Sequence, residues 1–501
     1  MLFSRCFFSV IFMKVMKNII LFSILFSFLS CDNSNLKTSK TEIKKNDFKN
    51  YSDVYKMVQI WLESEIDYNN IPGFSVAIVN KDKIDWSKSI ASEKNKKKLS
   101  INSLYSICSI SKLFTSIGIM QLVNEGKIKL DDPLKKHLPF FDMVQTYPLS
   151  SPITIRNILT HSSGLPRESN QPYWSNIDLI FPTKREVIDG LSDQKTLYPA
   201  NKYFQYSNLG LTLLGYVIEE ISGVPYNKYI SDKILIPLGM SSTKTFMDKK
   251  QHGKKLTVGF GAENRKRERE SIPYFNAFGI DPAAGFTSNA VDLSKFAIWQ
   301  LDLLSGKNKS DVLPKRLLTQ MHQVHFYDSL TNIKRGLGFN IYDENDQNLV
   351  GHGGSCPGYK TQLTLDIEGK KAFIVLINAR GVTPSKYTKG IKNLMDQLKE
   401  EDSKNSDLYS EIEGYYKSLP WNTENYLSSW GKNIALMSLP SNSANITRFR
   451  PVEKDVFRRI LKNDSLGEYL YILRDKKNNI KGFKRHQNIY KFYGNEVSAL
   501  N

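Results

Sequence analysis

Ser109 and Lys112 stand three positions apart in the stretch SICSISKLF, just ahead of a long apolar run. Residues three apart on an α-helix lie on one face, so the serine hydroxyl and the lysine amine could touch. A serine hydroxyl is a poor nucleophile near neutral pH, and an uncharged amine could serve as the base that it needs. The same spacing recurs in this chain, for example from Ser192 to Lys195. The pair alone is therefore weak evidence for catalysis.

Two further polar clusters interrupt apolar surroundings. Residues 206–208, Tyr-Ser-Asn, precede the helical pattern LGLTLLGYVIEEISG, and residues 352–355, His-Gly-Gly-Ser, precede a strand pattern. Each cluster is poor evidence by itself, because residues 68–70 also fit Tyr-x-Asn and a histidine beside glycines is usually a turn residue. The order of the three clusters along the chain carries more information than any one of them.

Ser-x-x-Lys, then Tyr-Ser-Asn, then His-x-Gly resembles the three motifs of the penicillin-recognising serine hydrolases. That group includes class C β-lactamases, related D-alanyl-D-alanine carboxypeptidases and esterases of the same fold. Three other stretches also resemble it: NEGKIKLDDPLKKHLP at 124–139, ITIRNILTHSSGLP at 153–166 and VPYNKYISDKILIPLGM at 224–240. The resemblance covers roughly residues 55–400 and implies an α+β fold, an antiparallel sheet flanked by helices.

The resemblance implies a nucleophile and two partners for proton transfer. Ser109 would attack the substrate carbonyl. Lys112 and Tyr206 would carry out the proton transfers, and either of them could be the formal base. Lys112 can act as a base only when it is neutral, and burial favours the neutral amine. The surrounding helix is apolar nearly all round, which predicts a site that is poor in water.

The same resemblance implies how a substrate would be held. Backbone N–H groups of Ser109 and Ser355 would form the oxyanion hole for the charge that develops on the carbonyl oxygen. Asn208 would hydrogen-bond the acyl-side amide, while His352 and Gly353 would line the substrate side.

His352 departs from the Lys-Thr-Gly of class C β-lactamases. A lysine is a permanent cation for a substrate carboxylate, whereas histidine is largely neutral at pH 7. The sequence also lacks a glutamate at the spacing that class A enzymes use to activate the deacylating water, so slow deacylation of a β-lactam is expected. The departure weakens the case for a dedicated β-lactamase and is tolerated among carboxypeptidase-like and esterase-like relatives.

A carboxypeptidase-like activity on D-amino-acid peptides is the first functional hypothesis. A broad carboxylesterase and a β-lactamase are alternatives within the fold, so the substrate is expected to be a small peptide, an ester or a β-lactam. A ligand-capture or sensor lipoprotein is the alternative of another class. Residues 353–357 nearly match the Gly-x-Ser-x-Gly elbow but lack the strand and helix around it. The histidines show no ligand cluster, so neither a metal nor a cofactor is expected.

Residues 16–31, MKNIILFSILFSFLSC, have the plan of a secretory signal that ends in a lipobox-like stretch. We expect residues 1–30 to be a lipoprotein signal peptide and Cys31 to carry a lipid that anchors the protein at the cell envelope; an uncleaved membrane anchor is the alternative. Residues 31–50 have few apolar residues and should form a flexible tether. The oligomeric state is left open.

The formal charge of +19 is spread in short clusters and mixed-sign stretches. That pattern predicts solvated surface, with attraction to an anionic envelope as the alternative, and no nucleic acid is expected as a partner. Beyond the signal region only Cys108 and Cys356 remain, and we expect packing residues rather than a bridge because they are far apart in sequence.

Residues 51–400 are expected to form the hydrolase domain and residues 408–501 a small all-β domain, a meander or barrel, with a linker at 401–407. Helices are predicted at 109–124, 153–160, 208–222 and 291–304. A hairpin is predicted around 80–82, and strands at 336–342, 359–367 and 371–378. In the C-terminal domain, strands are predicted at 411–417, 434–439, 457–461, 468–474, 480–483 and 489–493.

Overall fold

The computed structural model describes residues 49–93, 99–175, 177–307, 310–344 and 347–496. The predicted signal peptide, Cys31 and nearly all of the predicted tether lie outside these residues. No helix within them has the length and apolar character needed to cross a membrane.

The described residues form eleven α-helices, which include all four of the helices predicted from the sequence. They are α1 Ser52–Tyr68, α2 Ser111–Asn124, α3 Leu134–His137, α4 Ile155–Leu159, α5 Lys184–Asp189, α6 Asn208–Ser222, α7 Tyr226–Ile230, α8 Asp281–Ala284, α9 Ala290–Ser305, α10 Lys315–His322 and α11 Pro384–Gln397.

Twenty strands lie in the described part of the chain. They are β1 Gly73–Asn80, β2 Lys83–Ala91, β3 Tyr105–Ser106, β4 Gly259–Phe260, β5 Ser271–Ile272, β6 Thr287–Ser288, β7 Phe326–Asp328, β8 Ile333–Arg335, β9 Asn340–Glu344, β10 Gln347–Cys356, β11 Tyr359–Asp366, β12 Lys371–Ile377, β13 Gly414–Ser418, β14 Thr423–Trp430, β15 Asn433–Leu439, β16 Ile446–Glu453, β17 Val456–Ile460, β18 Leu466–Arg474, β19 Ile480–Arg485 and β20 Asn488–Gly494.

Eight of these strands form one sheet in the order β2-β1-β12-β11-β10-β9-β8-β7. Every pairing in it is antiparallel. The predicted α+β fold is thus confirmed. Part of the strand predicted at 336–342 is instead a turn, because Gly338 has φ of +85° and β9 begins only at Asn340.

Strand β1 shows why the sheet is covered on both faces. Its side chains alternate between two cores, with Ala77 and Val79 packing on the side of α2. Val76 and Ile78 pack on the other side, with α1 and α11. Because successive strand residues point to opposite faces, a strand between two layers reads as one continuous apolar run.

Helix α2 is the central helix of the first core. Every residue from Ser111 to Leu122 is buried, as the apolar pattern around the whole helix predicts. A 3₁₀ turn at Cys108–Ile110 leads into it, so the nucleophile candidate lies on the turn at the start of the helix. The turn that carries Ser109 therefore lies at the N-terminal end of a helix that is apolar over most of its surface.

The C-terminal strands close into an eight-stranded antiparallel barrel, β13 to β20 in chain order. This confirms the predicted small all-β unit, although the sequence analysis missed the strands Thr423–Trp430 and Ile446–Glu453. The barrel shares a core with the rest of the fold through α1. Trp61 of α1 is fully buried with Trp430 and Met437 of the barrel, and its Nε1 donates to Ser441 O at 2.7 Å.

Two residues of the predicted linker at 401–407 pack against the rest of the fold. Asp402 and Ser403 are buried, and the backbone N–H groups of both donate to Lys399 O at 3.1 Å. Gly431 has φ of +61° and lies against Asp402, where a side chain would overlap the Asp402 backbone. The connection therefore holds the barrel close to the helix that precedes it.

Candidate active site

Ser109 and Lys112 meet as the helical spacing predicts. Lys112 Nζ lies 3.1 Å from Ser109 Oγ. Cys108, immediately before the serine, has φ of +51°, in the left-handed region that non-glycine residues seldom occupy. Such strained positions are typical of functional turns.

Lys112 is 1% exposed and has two further oxygens in reach. Its Nζ lies 2.7 Å from Asn208 Oδ1 and 2.7 Å from the carbonyl oxygen of Ala283. A neutral amine has two N–H donors and one lone pair. With both donors directed at these two acceptors, the lone pair is left for the Ser109 hydroxyl, which is the arrangement of a general base.

The pKa of Lys112 lies well below its usual value, mainly because burial disfavours the ammonium. Arg167 and Arg335 lower this pKa further, while the carboxylate of Glu168 opposes them. Burial of Lys112 and the two nearby arginines thus favour the neutral form that a base requires.

Tyr206 completes the group of three. Its pKa is raised to about 12, chiefly by burial, while a hydrogen bond with Ser109 lowers it. The ring is packed between His161, with centroids 4.2 Å apart, and the Arg167 guanidinium, whose carbon lies 4.8 Å from the ring centroid. Lys112 Nζ lies 5.0 Å from the same centroid. The phenol therefore keeps its proton near neutral pH and can donate it.

The loop after α4 fixes the Tyr-Ser-Asn segment. Ser207 N donates to His161 Nδ1 at 3.1 Å, and Ser207 Oγ donates to Pro166 O at 2.6 Å. Ser207 Oγ also accepts from Gly210 N at 2.8 Å, so Ser207 caps α6. The cap determines where the helix begins and hence where its neighbours Tyr206 and Asn208 point.

Asn208 uses both ends of its amide inside the protein. Its Oδ1 accepts from Lys112, and its Nδ2 donates to the two carboxylate oxygens of Glu168 at 2.7 and 3.0 Å. Tyr173 also donates its hydroxyl proton to Glu168. Asn208 therefore orients the Lys112 amine, and its contact with a substrate amide stays a prediction.

His352 lies within β10 and is buried. Its Nδ1 donates to Gly353 O at 2.7 Å. The pKa of His352 lies well below its usual value, first because of burial and then because of the nearby Arg335 guanidinium. The ring is therefore neutral and cannot serve as the fixed cation that a lysine would provide in the third motif.

Strand β10 passes very close to the Ser109 turn at Gly354. A Cβ atom there would overlap the carbonyl oxygen of Ile107 and Thr361 Oγ1, and would lie 3.2 Å from Cys108 Cβ. At Gly353 the nearest atom would be Gln362 Oε1 at 2.9 Å, the end of a side chain that can move. Gly354 is thus the glycine that lets the two predicted oxyanion donors approach each other, a position that the sequence analysis did not single out.

Gly354→Ala is expected to reduce the acylation rate by about 100- to 1,000-fold, the usual effect of losing one oxyanion donor. The added methyl group must push β10 away from the turn at Ile107. Gly353→Ala is the matched control and should cost much less. Stopped-flow acylation by a fluorescent penicillin measures both, and equal losses in the two variants would contradict the assignment.

Cys108 and Cys356 form a disulfide with their Cα atoms 5.7 Å apart. The prediction of two packing residues was wrong. The bridge forms because β10 and β11 lie against the turn before α2, where Thr361 Oγ1 donates to Ile107 O at 3.1 Å. It joins the residue before Ser109 to the residue after Ser355, so it ties together the two segments that carry the predicted oxyanion donors.

Sequence reasoning missed four charged or titratable neighbours of the site, one of which is Arg167 against the Tyr206 ring. Glu168 lies on a loop without a motif, and the 2% exposed Arg335 ends β8 far along the chain. Burial lowers the pKa of Arg335 to about 10. Only His161 could have been found from the sequence, because it stands in the stretch 153–166 that resembles the family. The pKa of His161 is lowered mainly by burial. No group of three or more metal-binding side chains occurs among the residues that the structure describes.

A family model described as Beta-lactamase matches residues 61–391, well over half of the chain. The chain belongs to the Beta-lactamase family. The matched region begins in α1 and ends in α11, so it includes the sheet, α2 and all three motifs and stops before the barrel. This β-lactamase-family chain is a serine hydrolase, as its motifs predicted.

Relatives agree with this assignment. Beta-lactamase-like protein 2 of Dictyostelium discoideum is 26% identical over 391 residues, which span 74% of this chain and 67% of that protein. The octameric penicillin-binding protein homologue of Pyrococcus abyssi superposes with a TM-score of 0.60 at 24% identity, over 87% of this chain and 99% of its own. The Beta-lactamase/D-alanine Carboxypeptidase of Yersinia pestis superposes with a TM-score of 0.57 at 23% identity. The match covers 68% of this chain and 97% of that protein.

Proposed function

We propose that this protein is a D-alanyl carboxypeptidase-like hydrolase that cleaves amide or ester bonds through an acyl-enzyme on Ser109. The observation that carries the proposal is the buried Lys112 amine, held by Asn208 Oδ1 and Ala283 O at 2.7 Å and facing the Ser109 hydroxyl at 3.1 Å. An amine so placed can take a proton at the moment of attack.

Lys112 and Tyr206 can together supply every proton transfer that acylation of Ser109 requires. Ser109 Oγ attacks the carbonyl carbon while Lys112 takes the hydroxyl proton, and the N–H groups of Ser109 and Ser355 stabilise the oxyanion. As the tetrahedral intermediate collapses, Tyr206 gives its phenol proton to the leaving nitrogen or oxygen. Lys112 is then an ammonium and Tyr206 a phenolate, and one proton transfer between them restores both. Water repeats the sequence to release the acid and Ser109.

Within this proposal Lys112 is the base and Tyr206 is the acid. Burial pushes the pKa of Lys112 down and that of Tyr206 up, to about 12. Near neutral pH the amine is free to accept a proton and the phenol has one to give. Two groups whose environments separate their pKa values in this way are typical of an acid and base pair.

One observation favours a peptidase over a dedicated β-lactamase: His352 is neutral and buried where class C members have lysine. The neighbour from Yersinia pestis is both a β-lactamase and a D-alanine carboxypeptidase by name, so it is compatible with either activity. A broad esterase is the second candidate, because the same Ser109, Lys112 and Tyr206 geometry can cleave esters.

The purified protein should release D-alanine from a peptide that ends in D-alanyl-D-alanine. In parallel it is incubated with a fluorescent penicillin and a nitrophenyl ester. Release of D-alanine with a penicillin adduct supports the proposal. Ester hydrolysis without D-alanine release contradicts the proposal and indicates an esterase. Rapid penicillin turnover also contradicts it and indicates a β-lactamase. A stable adduct with no turnover of any substrate indicates ligand capture.

We also propose that a lipid on Cys31 anchors the protein at the cell envelope. The proposal is supported by the sequence at 16–31 and by the Cys108–Cys356 disulfide, since disulfides persist mainly outside the reducing cytoplasm. Metabolic labelling with a fatty-acid analogue should label the protein in the membrane fraction. Equal labelling of the wild type and Cys31→Ala would overturn it.

A further inference from the structure

The outer face of the C-terminal barrel carries exposed aromatic side chains on β18. Leu470 and Ile472 are buried in the barrel core, so Tyr469 and Tyr471, which alternate with them, point outward. The two tyrosine rings stack with their centroids 5.6 Å apart and are 44% and 39% exposed. Outward positions of an antiparallel sheet that faces water are normally polar. Strand β18 departs from that pattern.

The register of the barrel extends this surface across four strands. Tyr471 pairs with Val456 of β17 on one side and with Lys484 of β19 on the other. Lys484 in turn pairs with Ile489 of β20, which is 61% exposed. Cross-strand partners point to the same face of a sheet. These four residues therefore form one continuous line on the outside of the barrel, here named the outer row.

The turn after β13 adds two more exposed apolar side chains. Ser418, the last residue of β13, pairs with Tyr490, so the turn begins beside Ile489. Leu419 is 58% exposed and Trp421 is 79% exposed. Single exposed apolar residues are normal on a protein surface, whereas a contiguous patch indicates an interaction site.

The charge around the outer row indicates the chemistry of its partner. Strands β17–β20 contain seven lysine and arginine residues and one acidic residue, Glu468. Glu468 already accepts from Arg485 Nη2 at 2.7 Å. Lys484 and Lys491, which lies on the same side of β20 as Ile489, make no ion pair within the described part of the chain. The partner must therefore be anionic and also accept apolar side chains.

A bilayer that contains anionic lipids meets both requirements. Tyrosine and tryptophan concentrate at the membrane–water interface, and lysines near an anionic membrane surface strengthen binding. Lys49, the first described residue, follows Cys31 by 18 positions, and an extended chain of that length spans at most about 60 Å. The lipid proposed on Cys31 would thus keep the barrel within reach of the bilayer. A second copy bound face to face would instead bring like charges together.

We propose that the outer row and the turn after β13 form a membrane-docking surface that binds the headgroup region of bilayers rich in anionic lipids. The inference goes beyond the proposed hydrolase activity. It requires neither turnover nor the lipid on Cys31, so both of those proposals can fail while this one stands.

The first test measures the electrostatic part of docking. The chain from residue 32 to 501, which keeps every described residue but carries no lipid, is sedimented with vesicles of phosphatidylcholine, with or without about one third phosphatidylglycerol. Binding should be at least about 10-fold tighter to the anionic vesicles. Lys484→Gln combined with Lys491→Gln should weaken that binding by about 10- to 30-fold. Lys254→Gln combined with Lys255→Gln, two exposed lysines of the hydrolase domain, is the matched control and should cost much less.

The second test measures the apolar part in the same assay. Tyr471→Ser combined with Ile489→Ser keeps the charge of the protein but removes two apolar side chains of the outer row, and should weaken binding by about 10-fold. Ile236→Ser combined with Leu330→Ser is the control, because these side chains are 68% and 79% exposed on the hydrolase domain. All of the replaced side chains lie at the surface, and thermal unfolding checks that each variant folds.

Three results would overturn the docking surface. The first is a parent protein that shows no preference for anionic vesicles, and the second is equal loss in an outer-row variant and its control. The third is self-association in the ultracentrifuge that Tyr471→Ser with Ile489→Ser abolishes while the parent does not bind vesicles, which would make this face an interface between copies of the chain.

Discussion

Ser109→Ala removes covalent labelling by a fluorescent penicillin and lowers hydrolysis of any acyl substrate by at least about 10⁴-fold, on the scale seen when a catalytic nucleophile is deleted. Alanine keeps the turn at Cys108–Ile110 but has no oxygen to attack a carbonyl. The measurement is intact-protein mass after incubation with penicillin, together with steady-state rates on a nitrophenyl ester. The fold should be unaffected, because Ser109 is only partly buried and the core lies beneath it.

Ser294→Ala provides the matched control for this variant. Ser294 is a fully buried serine on α9 that donates to Ala290 O at 2.7 Å. It should label like the wild type. If Ser109→Ala still gained the mass of the penicillin, another residue would have to be the nucleophile and the proposed mechanism would fall.

Replacing Lys112 distinguishes a base from a fixed cation. Lys112→Met removes the amine, and Lys112→Arg keeps a charge that cannot be deprotonated in proteins. If the lysine works as a neutral base, both variants should lose acylation to a similar extent, by roughly 10²- to 10⁴-fold or more. Substantial activity in Lys112→Arg would instead indicate a purely electrostatic role.

The pH dependence of acylation gives an independent check on the same residue. The active form of Lys112 is the neutral amine, so the rate should be low below its folded pKa and rise as the pH increases through it. Because that pKa lies well below the usual value, the rise should be complete well before pH 10.5. The pKa of Tyr206 is raised to about 12, so the rate should fall through loss of the acid only as the pH approaches that value. A rate that rises only near pH 10.5 would contradict the neutral-amine mechanism.

The features that the sequence predicted well are local. Ser109 and Lys112 meet because one helical turn separates them, and α2 was predicted from an apolar pattern that covers its whole surface. The hairpin predicted around 80–82, which joins β1 to β2, is local in the same sense. Tyr206 required the family resemblance as well, since nothing in its own neighbourhood indicates that it lies beside a serine almost a hundred residues earlier.

The features that the sequence did not predict depend on contacts between distant segments. Glu168 reaches Asn208 from a loop without a pattern, and Arg335 enters the site from the end of β8, which pairs with β7 and β9 far along the chain. Cys108 and Cys356 are separated by 248 residues, so neither local spacing nor composition indicates their pairing. Strands β14 and β16 of the barrel were missed as strands and became evident only in the closed barrel.

The Cys108–Cys356 bridge also affects how the enzyme has to be prepared. Common bacterial expression hosts keep cytoplasmic thiols reduced, so protein made there would carry two free thiols next to the reacting serine. Specific activity would then differ between batches according to their exposure to air or reductant, although the polypeptide was identical. Secretion into an oxidising compartment, or controlled reoxidation followed by thiol titration, yields one defined covalent species for kinetic work.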